Sequence, residues 1–272
     1  MKNRNLNIEA LRVVAMLSIL LLHVSGRIFI SENNAVHTLE LAVRSYFFIG
    51  VSTFAFISGY YGVKWNTAKF FKYESMAIMW GGIIFILNFL ISNQIQLKSL
   101  LLFIPTLSEV CWYYSAYILL MIVSPYINKG INSIGLEKYR ILLVLMMVIC
   151  YGGNFIFHRN GTTFNILLFI YFLARYIKIT GFEMSSKRSL FIFFASTTFT
   201  ALSVVFANNF LGGKLLKIIC NNHNPFILIS ALSLFFAFKN MSNVSVICRL
   251  LSKIAPYTFA VYKYMLSFFT LI

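Results

Sequence analysis

An all-α bundle of about nine membrane-crossing helices, with its N-terminus in the cytoplasm, is the architecture that this 272-residue sequence predicts. Three observations carry it. Hydrophobic residues make up 60% of the chain and charged residues only 11%, whereas soluble globular proteins hold about 25% charged and roughly 45–50% apolar residues. Stretches free of Lys, Arg and Glu recur at close to the length that crosses a bilayer, about 20 residues. The basic residues between them alternate in number from one connection to the next, as they do when one side of the membrane retains positive charge. A mean hydropathy of +0.81 excludes a disordered chain. The low Gly and Cys content excludes collagen-like and disulfide-stapled scaffolds.

Taken in chain order, the first segment runs from about Leu6 to Val24 and crosses only if Arg12 sits at the bilayer edge. Ser45 to Val63, Ser75 to Leu97, Val110 to Asn128 and Ile141 to Phe157 follow as apolar runs without a charge. Asn160 to Ala174 is short, and spans if Arg175 extends its charged head toward the interface. Ser189 to Gly213 is the seventh span and Ile218 to Phe238 the eighth, with Asn222-His223-Asn224-Pro225 reading as a break at its head. The last, Ile254 to Ile272, is divided by Lys263 into halves of nine residues, so it spans only with Lys263 turned to the bundle interior or paired with a glutamate. Lys2 and Arg4 ahead of an apolar run resemble a secretory signal, but Glu9 and Arg12 intrude before that run and no exported soluble domain follows. No internal repeat and no linker is visible, so residues 1–272 read as a single transmembrane domain.

The chain has 23 Lys plus Arg against seven acids, all of them Glu, for a net charge of +16. On a soluble protein this excess would point to nucleic acid. Here, summing alternate connections gives 16 basic residues on the side of the N-terminus and 6 on the other, so the excess belongs to cytoplasmic loops facing lipid headgroups rather than to nucleic acid. The four cysteines, Cys111, Cys150, Cys220 and Cys248, show no short pair spacing and read as small core hydrophobes. His37, His158 and His223 lie in loops or near span ends with no second ligand at metal spacing, so no metal site is expected.

Ionisable groups inside spans are expensive, about 2.5–3.5 kcal/mol each at the helix centre on insertion scales, and each is therefore a functional candidate. Arg12 and His23 lie 11 residues apart, within about 20° of three full helical turns and about 16 Å along the axis. They share a helix face with Glu9, Met16 and Ile19. Helix geometry alone leaves a plainer reading open, with Arg12 reaching the cytoplasmic headgroups and His23 capping the outer end.

Ile8-Glu9-Ala10-Leu11-Arg12, followed by a small and apolar run ending in Leu22-His23, resembles the opening of the acyltransferase family 3 membrane proteins. Further segments match in order. Val51 to Tyr60, with Ser58-Gly59 before an aromatic residue, is similar to the family's second span, and Lys69-Phe70-Phe71-Lys72 stands where the family has a basic pair. Trp112-Tyr113-Tyr114-Ser115-Ala116-Tyr117, closing with Ser124-Pro125-Tyr126-Ile127-Asn128, resembles its aromatic fourth span and proline exit. Ile254 to Tyr262 resembles the start of a late helix, after which the family continues into a His-containing stretch and a further span, so the resemblance implies a chain shortened at its C-terminus. Lys in place of Arg at positions 69 and 72 loses the planar fork that grips phosphate but keeps the point charge.

The resemblance implies transfer of an acyl group, commonly acetyl, from cytoplasmic acetyl-CoA or another acyl-CoA to a hydroxyl of a cell-surface or lipid-linked carbohydrate, in a bacterial cytoplasmic membrane. In that reading His23 is the general base, with transient acylation of its ring as the less favoured version. Arg12 holds a donor phosphate or steadies negative charge, and Glu9 orients Arg12. Lys64, Lys69 and Lys72 receive donor phosphates at the cytoplasmic mouth, although attraction to anionic lipids accounts for them almost as well. Trp112, Tyr113 and Tyr117 line the acceptor or donor path, or form an interfacial aromatic belt. Ser58-Gly59 reads as a close helix contact. The competing readings are an exporter or flippase of lipid-linked sugars, to which the missing repeat is a counterargument, and an inactive partial chain.

The orientation is testable. Single cysteines in a background lacking the native four are expected to react with an impermeant maleimide from outside near His37 and His158, and only after permeabilisation near Lys69 and Lys138. The reverse pattern ends the assignment.

Overall fold

A computed structural model describes residues 5–28, 34–92, 112–152, 163–211, 219–220, 224–242 and 244–258. All regular structure among the described residues is helical: α1 (Leu6–Ile28), α2 (Asn34–Ser45), α3 (Ile49–Tyr61), α4 (Thr67–Ser92), α5 (Trp112–Ser133), α6 (Leu136–Met147), α7 (Thr163–Thr180), α8 (Ser186–Phe206), α9 (Pro225–Lys239) and α10 (Val246–Ile254). Short π-helical turns, Val148–Gly152 and Ala207–Leu211, extend α6 and α8. Among the described residues, four stretches are long and apolar enough to cross a membrane: Leu6–Ser25, Val36–Tyr61, Thr67–Leu87 and Ser186–Phe210. Cys111, His158, His223, Lys263 and the second half of the last expected span lie outside the described residues.

Three boundaries differ from the sequence reading, each for a local reason. The second span begins at Val36 rather than Ser45. A search for charge-free stretches stops at Arg44, yet Arg44 and His37 both stand beside Glu40 on the same helix, so the charges offset one another inside the span. The eighth span begins at Pro225 rather than Ile218: Asn224 caps it by accepting the Phe226 N–H at 2.9 Å, and Pro225 fills the first turn, where no N–H donor is needed. The segment 246–254, expected as a loop, is the helix α10, capped by the Ser245 hydroxyl accepting from the Cys248 N–H at 3.1 Å. Cys248 is buried and α10 packs on α1.

The described chain forms two compact units. The first is Met1–Tyr61 with Ile170–Thr258. Within it α3 packs on α1 and on α9, α9 packs on α8, and α2 packs on α8. Lipid tails are as apolar as leucine, so association depends on close backbone approach and interhelical hydrogen bonds. The sequence supplies both. A Cβ at Gly50 would lie 2.7 Å from the Ala15 carbonyl oxygen and 2.6 Å from Ile19 Cγ1, and one at Gly59 would lie 2.8 Å from the Tyr171 carbonyl oxygen and from Ala174 Cβ. The Ser196 and Ser230 hydroxyls meet at 2.7 Å between α8 and α9, and Ser186 Oγ donates to the Ala237 carbonyl at 3.0 Å. Phe56, Tyr60 and Phe235 fill the space between α3 and α9, with ring centroids 4.8–4.9 Å apart for the two cross-helix pairs.

The second unit is formed by the described residues of Gly62–Phe169. In it Pro125 interrupts α5, where it cannot donate to the carbonyl of Met121. The Ser124 hydroxyl donates to that carbonyl instead at 2.9 Å, which keeps the helix running through the proline. Asn128, one turn later, donates to the Val63 carbonyl at 3.1 Å and so ties α5 to the segment carrying Lys64. Cys150 is buried, and its thiol lies 3.5 Å from the Asn165 carbonyl.

The Ser58-Gly59 contact reading is borne out by this geometry. Gly59→Val is expected to destabilise the protein by about 1–3 kcal/mol through overpacking, read as a lowered Tm in detergent. Gly130→Ala, with nothing within 4 Å of the new Cβ, leaves Tm unchanged or raised.

Candidate functional site

The start of α1 carries the first group of expected residues. Asn5 caps the helix, its side-chain oxygen accepting from the Asn7 N–H at 3.0 Å, and Asn7 Nδ2 donates to the Met241 carbonyl at 3.3 Å. This fixes the helix end against the segment that follows α9. Glu9 lies in the first turn, where the partial positive charge of the helix terminus favours a carboxylate. Its Oε1 is 3.4 Å from Arg12 Nη1, an ion pair that brings together the two residues which the family resemblance coupled. The Glu9 side chain is 11% exposed and that of Arg12 38%, so the carboxylate is held inside while the guanidinium keeps an open side. An Arg in that state has donors left for a further anion.

Around this pair the first unit gathers the end of the second span and basic residues that the sequence reading had left in connections. Tyr60 and Tyr61 end α3, Lys178 lies near the end of α7, and Lys239 ends α9. Lys178 Nζ stands 4.8 Å and Lys239 Nζ 5.5 Å from the Tyr60 ring centre, both at cation–π distance. Lys239 also pairs with Glu183 in the turn after α7, and Asn240 Nδ2 donates to Glu183 Oε2 and to the Met184 carbonyl, each at 2.8 Å. The turn itself needs Gly181, whose φ of 68° is the left-handed conformation that ends a helix. Arg12, Glu9 and Lys239 all lie near enough to act electrostatically on the Tyr61 phenol. One end of the unit thus collects Arg12, Lys178 and Lys239, the two lysines over the Tyr60 ring, with two carboxylates holding Arg12 and Lys239 in place. Lys178 makes no ion pair among the described residues.

His23 is on the same uninterrupted helix as Glu9 and Arg12. Met16 and Ile19, between them on that face, are buried, whereas His23 is exposed. The face therefore passes from the packed interior of the unit to an accessible imidazole. Lys64, Lys69, Lys72, Trp112, Tyr113 and Tyr117 belong to the second unit. The three lysines are exposed around the start of α4, where Asn66 caps the helix by accepting the Lys69 N–H at 2.8 Å. Trp112, Tyr113 and Tyr117 form one ladder at the start of α5, with centroids 5.8 Å and 6.3 Å apart.

What the sequence reading missed is the Tyr60, Lys178, Glu183 and Lys239 group. A signal was present: with only seven acids in the chain, a glutamate two residues after the helix-ending Gly181 is a scarce charge in a tight turn. Its partner, 56 positions away, could not be named from spacing.

Compared with known families, the chain matches the model of an acyltransferase domain, acyltransferase 3, over residues 5–266. No curated protein and no solved structure matches it.

The Glu183 contact sets a pH dependence. Burial acts to raise its carboxyl pKa, but the hydrogen bonds from Lys239 and Asn240 outweigh it and hold the group below the ordinary carboxylate range. A group whose folded pKa is lowered stabilises the fold above its unfolded pKa and loses that contribution as pH falls through the folded one. Hydrogen-exchange protection of amides 181–185, corrected for intrinsic rates, is therefore expected to persist as pH falls through about 4.3 and to disappear only below it. Lys239→Met removes that protection at neutral pH.

Proposed function

The chain belongs to the acyltransferase 3 family, and we propose that it transfers an acetyl group from cytoplasmic acetyl-CoA to a hydroxyl of a carbohydrate destined for the cell surface. The observation that carries this reading is the family match together with a single helix bearing the Glu9–Arg12 pair at one end and an exposed His23 at the other. The two ends are about 16 Å apart. That separation suits a donor whose charged, phosphate-bearing part stays at one surface while its long pantetheine arm carries the thioester inward.

In this mechanism Arg12 binds donor phosphate through the donors that Glu9 leaves open, and Glu9 fixes its rotamer. Lys178 and Lys239 add positive charge at the same end; Lys64, Lys69 and Lys72, exposed on the second unit, are by themselves suited to attract phosphate. The acceptor hydroxyl attacks the thioester carbonyl. A C–O bond forms, the C–S bond breaks, and coenzyme A leaves as the thiolate. His23, acting as the imidazole base, takes the hydroxyl proton as the attack proceeds and then returns it to the leaving thiolate. The positive-inside distribution of basic residues supports placing Arg12 at the cytoplasmic side and His23 toward the outer one.

Vesicles given labelled acetyl-CoA test the assignment. Incorporation of label into carbohydrate supports transfer, and movement of a labelled sugar without incorporation supports an exporter instead. His23→Ala is expected to lower transfer about 10²–10⁴-fold while acetyl-CoA is still retained. Arg12→Ala is expected to weaken retention of acetyl-CoA about tenfold or more, the size of a lost charge-assisted hydrogen bond. A well-inserted His23→Ala protein that transfers at the wild-type rate removes His23 from the reaction.

A further inference from the structure

The helix α2 carries an ionisable group of residues that the reaction above leaves unused. Glu40 is buried, its side chain 7% exposed, with His37 Nδ1 3.7 Å from Oε2 and Arg44 Nη1 3.8 Å from Oε1. These are ion-pair distances, beyond hydrogen-bonding range. Glu40 Oε2 and Arg44 Nε are both fully buried without a hydrogen-bond partner among the described residues. Both lie in the Val36–Tyr61 stretch, long and apolar enough to cross a membrane. In such surroundings an unsatisfied acceptor and an unsatisfied donor are each costly, and ionisable residues there mark a ligand path.

The two unsatisfied atoms, one acceptor and one donor, are both buried and belong to residues one helical turn apart, and the carboxylate and guanidinium cancel in net charge. An anion such as phosphate meets the Glu40 charge, and a cation meets Arg44. A neutral hydroxyl pair satisfies both, one O–H donating to Glu40 Oε2 and the neighbouring oxygen accepting from Arg44 Nε–H. His37, with its side chain 42% exposed, is the accessible member of the group, and its contact to Glu40 is longer than a hydrogen bond.

Chain topology places this group at the His23 end of the first unit. The helix α1 ends at Ile28 and α2 begins at Asn34, the two touch, and α3 returns along α1. His23 lies five residues before the end of α1 and Glu40 six after the start of α2, so each sits about 7–9 Å from its helix end. We propose that His37, Glu40 and Arg44 form the acceptor subsite, which takes a vicinal diol of the carbohydrate and holds it at the end of the unit where His23 acts. This rests on the acyl-transfer reading of the preceding section.

The test uses the full chain in proteoliposomes with acetyl-CoA as donor and octyl glycosides of glucose, galactose and N-acetylglucosamine as acceptors. Retention of labelled acetyl-CoA is measured separately. Glu40→Gln and Arg44→Lys, the latter keeping the charge but losing the Nε donor, are each expected to raise the KM for the accepted glycoside about tenfold or more. Acetyl-CoA retention stays at the wild-type level in both. A wild-type KM in either well-inserted variant overturns the proposal, as does a loss of acetyl-CoA retention in step with transfer. So does a wild-type protein that retains acetyl-CoA and accepts none of the glycosides. A wild-type protein that does not retain acetyl-CoA removes the acyl-transfer reading itself, and the subsite falls with it.

Discussion

Close approach of helix backbones at small residues is the constraint on which the rest of this protein depends. In lipid the hydrophobic effect does not drive one apolar helix onto another, so packing has to come from van der Waals contact and interhelical hydrogen bonds. Gly50 lets α3 lie against Ala15 and Ile19 of α1, on the stretch that separates Arg12 from His23. Gly59 lets the end of α3 lie against Tyr171 and Ala174, which sets the neighbouring Tyr60 ring under Lys178 and beside Lys239. The serine pair between α8 and α9 secures the far side of α9, the helix that presents Lys239. None of these contacts involves a charged side chain, yet each helps to decide where one stands.

The scarcity of acid gives the remaining charges their meaning. With seven glutamates against 23 basic residues, most cations have no carboxylate available, and those that do are singled out. Glu9 holds Arg12, Glu183 holds Lys239, and Glu40 stands between His37 and Arg44. The first two pairs sit at helix termini and leave a cation partly open. The third is buried inside a span and leaves hydrogen-bonding groups open on both partners. That contrast is why the first two are read with a charged donor and the third with a neutral acceptor.

Much of this was legible in the sequence. Composition and span length settle the helical membrane class, because a backbone in hydrocarbon must satisfy its own hydrogen bonds and a helix does so within one segment. The family-like opening coupled Glu9 to Arg12, which do pair, and the order of family-like segments points to the acyltransferase 3 family, whose domain matches residues 5–266. Local chemistry also foretold the break ahead of Pro225 and the role of Gly59 as a helix contact.

Tertiary structure alone decided the rest, and the reason is separation along the chain. Lys239 meets Glu183 from 56 positions away, and Asn128 reaches Val63 from 65. No periodicity in a single helix encodes such partners. The sequence reading began the second span at Ser45 and so did not bring Glu40, Arg44 and His37 onto one helix. It could not determine that packing would bury the carboxylate with one oxygen unsatisfied, because burial is set by the helices that close over α2 rather than by α2 itself.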